Sequence, residues 1–499
     1  MNSKKLPLLF AFFFLIVLAG FAQPHAVQTR TIVTSDGEVD DMDSFIRLLL
    51  YANELNIVGM VYSSSEFHYA GDGKGTTFTS NMPFAKHYGT RTSLRWLGTE
   101  WMQGFIDKYA TVYDNLVKHD KNYPTPQHLK SLVKVGNIDF ESEMDHNSEG
   151  SDFIKKILLD DDPAPVYLQI WGGTNTLARA LKSIEDEYRN AKEWKTIYKK
   201  ICNKATIYII LDQDETYKKY VSTNWSDIKV IVNTTQFWSF AYAWPRLAPA
   251  IQSYLNGSWF AEHIKFNHGA LGGSYFLWGD GQKLVGDSDH IQGDTVQVRK
   301  SGRAQFDFIS EGDSPSYLSL INTGLRNIED PSYGGWGGRF VQSKTNPRLW
   351  LDGTSVTDSN YFNKSADNQF PQARWINSIQ NDFAARADWC VKSYKKANHT
   401  PVVSLKTAKD ISAKPGAVIH LSGSAKDPDC NSLTYKWWQY EEAGTYQGNI
   451  EIVQAVNMDA SFTIPADAKS GETIHIIFEV KDSGTPQLTR YSRIIVTIK

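Results

Sequence analysis

Three cysteines in 499 residues, Cys202, Cys390 and Cys430, form an odd set without the close spacing of a metal site. They exclude a structural zinc centre, allow at most one disulfide, and read as small buried hydrophobes. Long apolar runs are equally scarce, and beyond the N-terminus none is long enough to span a bilayer. There is no long polar low-complexity tract, so the chain reads as a soluble globular protein rather than a disordered one. Positive charge is not in surplus either. The formal net charge is −3, which gives no case for nucleic acid or an anionic membrane as partner.

The one apolar run that is present, "MNSKKLPLLFAFFFLIVLAGFAQ", has the layout of a secretory signal peptide. Lys4 and Lys5 make the basic start, Leu6–Leu18 the apolar stretch, and Gly20-Phe21-Ala22 a small-x-small cleavage site before Gln23. Residues 1–22 are therefore expected to be removed during export to the periplasm or the medium. With no Cys at that site, no lipoprotein anchor is expected. Aromatic residues are the abundant class, at 13% with 15 Trp. Most of them read as core. The remainder suit a sugar-binding surface, where flat rings stack on sugar faces.

The length predicts two or three domains. From Thr31 to about Leu211 strand-like runs ("TIVTS", "NIVGMVYSSS", "APVYLQIWGG", "ATIYIILDQD") alternate with helical patterns. That order predicts an α/β domain with a mostly parallel, doubly wound sheet over residues 23–395. Residues 225–395 read as its continuation with long loops, closed by a helix in "QARWINSIQNDFAARADWCVKSY". Residues 396–499 change to short alternating strands separated by turn residues, the pattern of an immunoglobulin-like β-sandwich. The Asp-rich "KDPDCNS" reads as a turn there, with calcium as the other reading.

Ligands of doubly wound sheets bind beyond the carboxyl ends of the strands, and here those ends are acidic. "SDGEVDDMD" places Asp36, Glu38, Asp40, Asp41 and Asp43 within eight residues. N-capping acids on a solvated turn explain one or two carboxylates, whereas a hard cation bound by oxygens, calcium above all, explains more. An EF-hand is excluded, because Asp41 and Arg47 stand where Gly and Glu are required. A phosphatase loop is excluded by the missing nucleophilic Asp.

The turn resembles the Asp-x-Asp-x-Gly-x-Asp-Asp signature of the nucleoside hydrolase family, with Thr34 at the first Asp and Glu38 at the Gly. The resemblance implies calcium ligation by Asp36 and Asp41, a general-base role for Asp36, and sugar-hydroxyl contacts from Asp40. "WGGTNTLARAL" is similar to the family's Gly-rich segment, implying a calcium-ligating carbonyl at Trp171, with Asn175 displaced by one position but kept as a substrate contact. "EGDSP" is similar to the family's late His-Asp-Pro motif. This implies Asp313 as the last calcium ligand, Glu311 beside it, and Gly312 in place of the His.

Other strand-end groups compete with a reading as solvated loop charges: Asp212, Asp214 and Glu215, and Glu66 with His68. Asp214 is kept as a substrate contact, as is Trp336 of "PSYGGWGGRF". Glu38 and Asp43 read as helix-entry or surface acids. The whole layout is similar to exported nucleoside hydrolase-like proteins with a C-terminal sandwich (the Sde182-like group, some labelled cellulose-binding). The resulting expectation is a calcium-dependent hydrolase of an N- or O-glycosidic bond in a glycan-derived sugar. The alternative is a carbohydrate-binding protein that kept the fold and lost catalysis.

Overall fold

The computed structural model describes residues 28–499, and the expected signal peptide lies outside the described residues. Eight strands form one sheet in the order Val133–Val135, Leu55–Tyr62, Thr29–Ser35, Val166–Ile170, Ala205–Ile210, Lys229–Asn233, Leu349–Leu351 and Val341–Gln342. All neighbours run parallel except the last pair. Strands of this sheet are covered on both faces, which is why Ala205–Ile210 is buried at every position and reads as a continuous apolar run.

The chain winds outward from Thr29–Ser35 first to one side, then returns and winds to the other. Strand order therefore reverses between Thr29–Ser35 and Val166–Ile170, and a crevice opens where the two diverge. Thr34 pairs with both Val61 and Ile170, and Ile170 with Ile209, so the carboxyl ends of the central strands are level. The helix Val39–Leu50 leaves the first of these ends and is buried along its whole length. The expected closing helix is present as Ile376–Trp389 and packs against it.

The C-terminal region is a sandwich of a three-stranded and a four-stranded sheet. Pairing is antiparallel except where Asp410–Ala413 runs parallel to Thr489–Ile498. Its core is centred on Trp437, stacked on Phe478 at 4.3 Å. The sandwich is fused to the α/β domain by apolar and polar contacts alike. Trp375 lies 5.4 Å from the Tyr491 ring, Arg490 pairs with Asp382 at 2.8 Å, and the Tyr440 hydroxyl donates to Asp358 at 2.6 Å. "KDPDCNS" is a turn at this junction: Asp427 accepts from the Asp429 and Asn431 amides, each at 2.9 Å. All three cysteines are free, Cys202 and Cys390 buried and Cys430 exposed. Among the described residues no helix is long and apolar enough to cross a membrane.

Candidate functional site

A cavity of about 260 Å³ opens over the carboxyl ends of the central strands. Glu38, Asp40, Asp41 and Asp313 supply its acidic side, and Phe67, Phe84, Trp171, Phe237, Trp238 and Tyr242 its aromatic side. Each acid is positioned by a local device. Asp36 follows directly on strand Thr29–Ser35. Glu38 is the N-cap of helix Val39–Leu50, which places Asp40 and Asp41 in the first turn, where the helix dipole favours negative charge. Asp313 stands at the N-cap of Ser314–Leu318, and its side chain makes no capping bond. The carboxylate faces the cavity instead.

Carboxylate oxygens of Asp40, Asp41 and Asp313 lie within 4.8 Å of one another, and all three residues are buried. Burial first, and repulsion from neighbouring carboxylates second (Glu38 and Asp36 on Asp40, Asp36 and Asp313 on Asp41, Asp40 and Asp36 on Asp313), push the Asp40 carboxyl up to about 8 and those of Asp41 and Asp313 well above the usual carboxylate range. The Ser35 hydroxyl donates to Asp41 at 2.5 Å and the Ser310 hydroxyl to Asp40 at 3.2 Å. Asp36 is fully buried beside them, and its Oδ2 has no hydrogen-bond partner among the described residues. Gly172 makes this packing possible, since a Cβ there would lie 2.8 Å from the Asp36 side chain. A Cβ on Gly312 would lie 2.8 Å from Asp40 Oδ2, so glycine at this position leaves room for that carboxylate.

A buried histidine whose place in the sequence suggests only a loop charge belongs to the same site. His68 Nδ1 lies 3.7 Å from Asp36, and Nε2 lies 3.6 Å from Asp287, which Arg95 pairs at 2.9 Å. Burial and Arg95 work against charge on His68, yet the two flanking carboxylates hold its pKa up at about 9. Burial likewise works against ionised Asp36, but its interaction with His68 brings it below the ordinary value. Nothing local in "GDSDH" marks Asp287 as a partner of this group. The Trp171 carbonyl accepts from Gln213 Nε2 at 2.6 Å, and the Trp171 indole donates to Ser316 at 2.8 Å.

The other expected contacts lie elsewhere. Glu311 is fully buried and committed to Arg47, with Tyr275 and Ser314 on the same carboxylate. Trp336 is buried in the main core, with Arg490 over its ring, and offers no face to a sugar. Asn175 spends its amide on Ser63, Ser64 and the carbonyls of Asn137 and Glu143. Asp214 accepts from the Asn175 and Thr216 amides and is buried. None of these four lines the cavity. Asp43 is not a surface acid either, being fully buried and accepting from the Phe276 amide at 2.8 Å. Glu66 is buried too, whereas Glu215 does face solvent beside Lys218 and Lys219.

A family model described as "Cellulose-binding Sde182, nucleoside hydrolase-like domain" matches residues 30–340, more than half of the chain. The chain belongs to this family. The model of the same family's C-terminal domain, "Cellulose-binding protein Sde0182, C-terminal domain", matches residues 418–498. Among solved structures, this Sde182-type chain is similar to a nucleoside hydrolase-related protein from Saccharophagus degradans described as associated with carbohydrate metabolism. The two are 26% identical, with 95% of this chain and 100% of that one covered at a TM-score of 0.69. An inosine-guanosine nucleoside hydrolase is matched over 73% of this chain and 99% of its own, at 11% identity and a TM-score of 0.30. No curated protein matches the sequence.

Proposed function

We propose that the chain is an exported, calcium-dependent hydrolase of a glycosidic bond, acting on a glycan-derived sugar. The observation that carries the proposal is the buried trio Asp40, Asp41 and Asp313 on a cavity with an aromatic wall, with Asp36 Oδ2 near it, 3.7 Å from His68 Nδ1 and without a hydrogen bond of its own. Such a set of oxygens is costly to bury as anions and fits a hard cation. Asp41, Asp313 and Asp36 would hold calcium, with the Trp171 carbonyl as a further oxygen. When bound, the ion would acidify water and polarise sugar hydroxyls.

The chain's own residues supply the rest. Asp36 Oδ2 takes the proton from the attacking water, and Asp40 orients the sugar through its hydroxyls. Water then attacks the anomeric carbon from the face opposite the leaving group as the glycosidic bond breaks and the leaving group takes a proton from solvent, so inversion is the expected stereochemistry. The aromatic wall excludes water and stacks on the apolar sugar face. The family's description as cellulose-binding supports a carbohydrate ligand over a free nucleoside.

Two observations favour the second reading, a carbohydrate-binding protein without turnover. Gly312 supplies no leaving-group acid, and Asp36 is engaged by His68. Release of reducing sugar from a glycan panel, with and without chelator, decides between the two. Chelator-sensitive release that disappears in Asp36→Ala, with the fold intact, supports the hydrolase; binding without release supports the second reading.

A further inference from the structure

A second cavity, of about 190 Å³, lies on the seam between the α/β domain and the sandwich and shares no residue with the acidic site. Thr323, Arg326, Asn327 and Glu329 line it from one domain, Lys409 and Arg493 from the other. The two walls are brought close by the Tyr491 amide, which donates to the Thr323 carbonyl at 3.0 Å. Gly324 permits this approach, since a Cβ there would lie 1.9 Å from the Tyr491 carbonyl oxygen.

The charges in this cavity do not balance. Arg326 is matched, donating to Glu329 at 2.7 Å and to Asp410 at 2.9 Å. Arg493 is not. It is 1% exposed, and its donors reach only the His475 ring nitrogen at 2.9 Å and the Gly334 carbonyl at 3.1 Å. The rings of Tyr333 and Tyr440 also lie against it. Its Nε has no hydrogen-bond partner among the described residues, and neither has the buried Thr323 hydroxyl on the facing wall. Burial accordingly lowers the Arg493 pKa to about 9 and that of His475 to about 3, the latter with Arg493 adding to it. A buried guanidinium without a carboxylate is costly unless an anion completes it. The space exceeds what a single water needs and suits a small organic anion.

We propose that this seam binds one oxyanion group, a carboxylate or its inorganic equivalent, between Arg493, Lys409 and the Thr323 hydroxyl. Arg493 provides the buried, pre-oriented donors, Lys409 a solvent-side charge, and Thr323 a neutral donor from the opposite domain. The ligand bridges the two domains, so its binding stabilises their junction. On an exported protein the fitting source is an acidic sugar unit, and inorganic sulfate presents the same chemistry.

The test is calorimetric titration and thermal unfolding of the full chain with glucuronate, sulfate, glucose and chloride at matched ionic strength. Glucuronate or sulfate should bind saturably and raise the unfolding temperature, while glucose and chloride do neither. Binding of both identifies the free oxyanion as sufficient; binding of glucuronate alone assigns the acidic sugar. Lys409→Ala, at an exposed position, should weaken binding several-fold without loss of fold. Arg493→Gln should weaken it roughly tenfold or more, the effect of one charge-assisted hydrogen bond. If Arg493→Gln fails to fold, Thr323→Val with Lys409→Ala carries the test. Equal responses to all four solutes, or unchanged affinity in Lys409→Ala and Thr323→Val, would overturn the proposal.

Discussion

Arg47 and Glu311, 264 residues apart, form a fully buried two-pronged ion pair: Nε to Oε2 at 2.5 Å and Nη2 to Oε1 at 2.7 Å. The pair joins the helix that carries Asp40 and Asp41 to the loop that carries Asp313. It thereby sets the distance between the two halves of the acidic cluster.

Removing one partner of that pair should therefore injure both stability and the site. Glu311→Ala leaves a buried guanidinium without its counter-charge, at a cost of about 3–5 kcal/mol. Denaturant unfolding should show this loss, and calcium should no longer protect the variant against unfolding. Wild-type stability in Glu311→Ala would refute the tethering role.

The two tryptophans Trp336 and Trp238 should separate cleanly. Trp336→Ala empties a core position and should cost roughly 3–5 kcal/mol of stability. Trp238, half-buried on the cavity wall, should do the opposite. Trp238→Ala should leave unfolding nearly unchanged but weaken carbohydrate binding by about 1–1.5 kcal/mol, roughly tenfold. Equal sugar affinity in wild type and Trp238→Ala would remove the aromatic wall from the binding account.

Asp40 has its pKa raised to about 8, and Asp41 and Asp313 are raised in the same direction. Without a cation the folded protein thus holds more protons than the unfolded chain between about pH 4 and pH 8. The stability this provides is full below the unfolded carboxyl pKa and is lost as pH rises through the folded value. Chelated protein should unfold more easily above about pH 8 than near pH 5. Stabilisation by added calcium should grow over the same interval, because the ion displaces those protons. A calcium effect independent of pH would contradict this coupling, as would its full retention in Asp41→Asn or Asp313→Asn.

Because Trp375 and Ile376 share one core with Tyr440, Ile477 and Tyr491, the α/β domain should not survive alone. A chain ending at residue 400 exposes that apolar face and leaves Asp382 without Arg490. It should express as an insoluble or dye-binding species. A soluble, cooperatively unfolding fragment would show that the sandwich is dispensable for folding.

Much of this architecture is legible locally. Strand and helix order in residues 31–211 follows from hydrophobic period, and the sandwich from alternation and turn spacing. Residues 225–395 are less so, since their short helices and two short edge strands carry little periodic signal. Among site residues, those of the acidic turn are legible because adjacency in sequence keeps them adjacent in space. Glu311, Trp336, Asn175 and Asp214 lie off the cavity lining, which sequence reasoning could not foresee because a residue's type and neighbours do not reveal which groups will compete for it. Arg47 takes Glu311, and the core takes Trp336.

What the sequence determined by itself is the layer order and the acidic strand-to-helix turn at the switch point, since both depend on short-range pattern and on chain direction. What only the tertiary structure decided is which carboxylates share one buried volume: Asp313 with Asp40 and Asp41, and Asp36 with His68 and through it Asp287. Charge interactions act through space and grow as water is excluded, so their partners are set by packing and not by position along the chain.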